Sequence, residues 1–65
     1  MELKERFVGT PMDVARKLRL IADELDAIQA VRVRGLTVLL PENLSCEVEY
    51  AEKFGDRSFE IEIEW

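Results

Sequence analysis

Apolar and polar positions alternate along this chain in two different rhythms. From residue 10 the rhythm is helical. Val14, Leu18, Ile21, Ala22, Leu25 and Ile28 recur at steps of three and four, which draws one apolar stripe along a helix. Arg16, Lys17, Arg19, Asp23, Glu24 and Asp26 cover the remaining surface, and Leu20 falls on that polar side. Thr10, Pro11 and Asp13 form a start signal. Thr10 suits the N-cap, Pro11 the first helical position, and Asp13 the third position of a capping box. The pattern predicts a helix over residues 11–29.

After the helix the rhythm changes to a period of two. Val31 and Val33 alternate with Arg32 and Arg34; Leu36, Val38 and Leu40 alternate with Thr37 and Leu39, and Pro41 ends the run. A tight turn at Arg34-Gly35 would set Val33 opposite Leu36 and Val31 opposite Val38. A single bent strand over 31–40 is the alternative.

The clearest alternation lies in the last third. Cys46, Val48 and Tyr50 alternate with Glu47 and Glu49; Phe59, Ile61, Ile63 and Trp65 alternate with Glu60, Glu62 and Glu64. With Phe54-Gly55 as a two-residue loop, Tyr50 meets Phe59, Val48 meets Ile61 and Cys46 meets Ile63. Lys53 then faces Asp56 and Glu52 faces Arg57. A slip of one residue would turn one strand's apolar side chains to the wrong face. This register sets Glu49 opposite Glu60 and Glu47 opposite Glu62, a like-charge arrangement that disfavours the hairpin. Compensation is expected from a neighbouring basic strand, through Lys4 and Arg6 or through Arg32 and Arg34.

Residues 2–8 also alternate, with Leu3 and Phe7 on one side of Glu2, Lys4 and Arg6; Glu5 interrupts the apolar side. They read as a first strand. The expected fold is therefore α+β: a two-layer β-α-β-(β)-β-β domain, one helix on a mostly antiparallel sheet of four to five strands. Its core would be the helix stripe with Leu3, Phe7, Val31, Val33, Leu36, Val38, Leu40, Cys46, Val48, Tyr50, Phe59, Ile61, Ile63 and Trp65. Cys46 reads as a buried, inert thiol.

Composition narrows the function. With 65 residues there is room for one domain, and a domain of about 60 residues buries only ~60% of its unfolded surface. The chain has no His and one Cys. That excludes Ser-His and Cys-His nucleophile systems, imidazole bases, an internal disulfide and Cys/His zinc sites. No run approaches the ~20 apolar residues of a membrane span, and Met1–Glu5 carries no apolar leader core, so a cytoplasmic setting is expected. The net charge of −5 is uneven. Residues 1–40 hold seven bases and six acids; residues 41–65 hold two bases and eight acids.

The order of these pieces resembles the amphi-Trp domain family. The resemblance rests on the short N-terminal strand, the Pro-led helix, the Gly35–Pro41 apolar strand and above all Phe59-Glu60-Ile61-Glu62-Ile63-Glu64-Trp65. It covers nearly the whole chain. It implies a small cytosolic prokaryotic domain with no assigned activity and no catalytic residues to carry over.

The sequence supports a non-enzymatic interaction or oligomerisation module, with a protein partner or a second copy and no cofactor or small molecule. Its candidate interface residues are Leu20, Glu47, Glu49, Glu60, Glu62, Glu64 and Trp65, with Trp65 either closing the core or anchoring a partner. The glutamate ladder lacks the converging ligands of a cation site. The alternative is a nucleic-acid patch from Arg16, Lys17, Arg19, Arg32 and Arg34. A carboxylate-dependent enzyme would need a cleft that separates two carboxyl pKa values.

Overall fold

The computed structural model describes all residues, Met1–Trp65. Helix α1 spans Pro11–Ile28. Two hairpins follow: β1 (Ala30–Val33) with β2 (Leu36–Leu39), and β3 (Ser45–Lys53) with β4 (Asp56–Glu64). The class is α+β.

The helix start follows from its three signal residues. The Thr10 hydroxyl accepts from the Asp13 N–H at 3.2 Å, while the Asp13 carboxylate accepts from the Thr10 N–H at 2.9 Å. These reciprocal bonds satisfy two otherwise orphaned donors. Gly9 belongs to the same device. A Cβ there would stand 2.8 Å from the Asp13 carboxylate oxygen, so a side chain would push the cap apart. At the other end Gln29 turns left-handed, with φ 50°, and donates its N–H to the Leu25 carbonyl. Leu40 then donates to the Gln29 carbonyl at 2.9 Å, which carries the first ladder back to the helix end. Ala30, wedged at that junction, is the one fully buried residue.

Both hairpins turn through two residues with positive φ: Arg34 and Gly35 at 51° and 82°, Phe54 and Gly55 at 52° and 84°. Two-residue turns of this hand match the right-handed twist of the flanking strands. Residues 31–40 thus form a hairpin rather than one bent strand, with Val31 opposite Val38 and Val33 opposite Leu36. In the second hairpin every pair falls as the alternation requires, from Ser45 opposite Glu64 to Lys53 opposite Asp56.

Three expectations are corrected. Residues 2–8 form no strand; the segment is tied instead through the Glu5 carboxylate to Lys17 and the Arg34 N–H. The strands make two separate two-stranded sheets, not one of four or five. The core is not closed: Val48, Tyr50, Phe59 and Trp65 are 59–64% exposed, and Cys46 is exposed as well. Only β1 lies along the helix, and the second hairpin stands away from it. The radius of gyration is 13.4 Å, against ~11 Å for a compact chain of this length.

Candidate interaction surface

The surface that stands out is one side of the second hairpin. Period-two geometry puts Cys46, Val48 and Tyr50 of β3 beside Phe59, Ile61 and Ile63 of β4, and Leu44 and Trp65 extend the same side beyond the ladder. Ile63 is half-buried and the others are exposed. This is a contiguous apolar strip along a nine-residue ribbon. An isolated two-stranded hairpin is marginal in water and needs a covered apolar face.

The opposite side carries Glu47, Glu49, Glu60, Glu62 and Glu64. Glu47 faces Glu62 and Glu49 faces Glu60. None of the five forms an ion pair: the chain's pairs are Lys4–Glu2, Arg16–Asp13, Lys17–Glu5 and Arg32–Glu24. The compensating basic strand is therefore absent, because the bases are held within the N-terminal part of the chain. The Glu62 carboxyl is raised above its ordinary 4.5, first by its hydrogen bond with Glu64, then by the charge of Glu64, by desolvation, and by the charges of Glu47 and Glu60. At the tip, Lys53 sits 5.9 Å above the Phe54 ring, and Glu52 accepts from the Tyr50 hydroxyl at 3.0 Å.

The five bases singled out for phosphate contact are mostly occupied. Arg16 bonds Asp13 at 3.2 Å, Lys17 bonds Glu5 at 3.0 Å, and Arg32 lies 3.6 Å from Glu24. Arg34 donates its backbone N–H to Glu5 and its guanidinium to the Lys4 carbonyl. Arg19 forms no ion pair. The sequence underrated Glu5. Its carboxylate ties the N-terminal segment to both the helix and the β1–β2 turn, and is held below the ordinary 4.5 chiefly by the Arg34 N–H and then by Lys17. Its place on an otherwise apolar side was the available signal.

Leu20 is exposed on the helix, apart from the hairpin strip, and Trp65 is exposed at the strip's end. The surface hollows are shallow. One of about 430 Å³ lies between Asn43, Leu44, Ser45, Glu64 and Trp65; another lies between Glu2, Leu3, Lys4 and Arg34. Each has one carboxylate in its lining. No group of three His, Cys, Asp or Glu side chains is arranged to hold a metal, and no helix is long and apolar enough to cross a membrane. Compared with protein-family models, curated proteins and solved structures, the chain matches none.

Proposed function

We propose that this chain is a non-enzymatic interaction module that acts by burying the apolar side of its second hairpin against another protein surface. The observation that carries this is the exposure of Val48, Tyr50, Phe59 and Trp65, at 59–64% each, on one contiguous strip. Exposed strips of this kind mark interaction sites. Large aromatic side chains such as Tyr50 and Trp65 suit hot spots. The five glutamates behind the strip keep the assembly soluble and repel acidic partners. Once covered, the two hairpins and the helix would make a two-layer sandwich of the kind the alternation predicts. The resemblance to amphi-Trp domains and a cytoplasmic setting belong to the same reading. Engagement of Arg16, Lys17 and Arg32 by acids within the chain, and of the Arg34 guanidinium by the Lys4 carbonyl, favours this reading over nucleic-acid binding. The single carboxylate in each hollow favours it over acid–base catalysis.

Diffusion of the full chain, labelled at its N-terminus, tests the reading in buffer and in cell lysate. An interaction module moves as a species larger than its own 7.5 kDa in at least one of them. Diffusion as a free monomer in both contradicts it.

A further inference from the structure

One chain leaves two apolar surfaces unsatisfied. The hairpin strip is the first. The second is the stripe of α1 with β1–β2, where Val14 and Leu18 are each 43% exposed. Their dimensions agree. An 18-residue helix is about 27 Å long, and nine-residue strands are about 30 Å long.

The area gives the size of the missing contact. The chain exposes 6151 Å². A compact monomer of its 7.5 kDa mass exposes about 4,200 Å², so ~1,900 Å² per chain remains to be covered. For two chains that is about 3,800 Å², within the 2,000–5,000 Å² of obligate homodimers. The charges select the pairing. Residues 1–40 carry seven bases against six acids, and residues 41–65 carry two against eight. A hairpin stacked on another hairpin would bring two strongly acidic ribbons together and leave both helix stripes wet. A hairpin laid on the other half would do neither.

We infer that the partner of the hairpin strip is the α1–β1–β2 half of a second copy of this chain, and that the exchange is reciprocal. This rests on the interaction-module reading and names its partner. The result is a two-fold, intertwined dimer in which each hairpin completes the other copy's core. The five residues Leu40–Leu44 form the connection between the halves, and Pro41 within it fixes one backbone dihedral. Both halves of the contact then lie in one sequence, so the assembly needs no further component.

The test mixes equal amounts of isotope-labelled and unlabelled full chain, unfolded and refolded together. Isotope-filtered NOE spectra and light scattering are then recorded. The expected result is twice the 7.5 kDa mass, with contacts between the rings of Tyr50, Phe59 or Trp65 in one copy and the methyl groups of Val14, Leu18 or Leu25 in the other. A dimer with ring contacts between the two hairpins overturns the exchange and leaves the interaction-module reading standing. So does a monomer whose Cys46 thiol is labelled as fast as in denaturant. A monomer that makes the same ring–methyl contacts within one chain, with Cys46 protected, overturns both.

Discussion

Replacing Ile61 by Ala separates a self-contained chain from one whose hairpin is covered by a partner. Ile61 pairs with Val48 in the middle of the strip and is 49% exposed. Fully burying such a side chain is worth about 1.5–3 kcal/mol. In a chain that stands alone, about half of the side chain is in water, and truncation costs roughly 1 kcal/mol or less on the same scale. If the strip is covered, the truncation also opens a cavity, and Ile→Ala costs about 2–5 kcal/mol per site. A symmetric dimer carries the substitution twice, so about 4–10 kcal/mol is lost per assembly. Each 1.4 kcal/mol is a factor of about ten in an equilibrium constant, so association weakens by at least about two to three decades. Sedimentation equilibrium of the wild-type chain and Ile61→Ala over a range of concentrations reads this directly. A loss near 1 kcal/mol, with no change in association, refutes the reasoning.

Three smaller changes test local parts of the account. Gly9→Ala forces a Cβ against Asp13 and breaks the capping box; a loss of about 1 kcal/mol is expected in denaturant unfolding, and an unchanged midpoint counts against the cap. Glu5 titrates below 4.5 when folded, so its contribution is present above that value and fades as pH falls through the folded pKa. Glu5→Gln should therefore be less stable at neutral pH, with the difference vanishing in strong acid. Glu62 titrates above 4.5 when folded, so protonation favours the fold, and that contribution is lost as pH rises through the folded pKa. Glu62→Gln should then be the more stable chain at pH 7, with the advantage gone below 4.5. Equal pH profiles for the glutamines and the wild type would contradict both assignments.

The local elements could be read from the sequence because their causes are local. Thr10, Pro11 and Asp13 specify the helix start through contacts three residues apart. Gly35 and Gly55 specify turns, and alternation then leaves one register for each ladder. The arrangement of these elements has other causes. Whether the second hairpin returns to the helix depends on Leu40–Leu44 and on what covers the strip, neither of which has a period to read. Residues 2–8 alternate like a strand, but alternation alone does not supply backbone pairing, and the segment pairs with neither hairpin. Glu5 shows how the misreading arose. It breaks the apolar side because its carboxylate is bonded to Lys17 and the Arg34 N–H. Cys46 and Trp65 lie on the expected side of the hairpin, yet that side is exposed, because face and burial are separate properties. The glutamate ladder was found at its expected register positions without its expected bases; Lys4 and Arg32 pair with Glu2 and Glu24, and the Arg34 guanidinium bonds the Lys4 carbonyl.

The central claim is that a second copy of this chain covers the hairpin strip and that folding and association are one event. The most direct measurement is the unfolding temperature against concentration. For a dimer of two 65-residue chains, the unfolding enthalpy is about 90 kcal/mol near 60 °C. Dilution by about a hundredfold should then lower Tm by ~11 °C. A Tm that stays constant over that dilution would show that folding does not depend on a second copy, and would contradict the account.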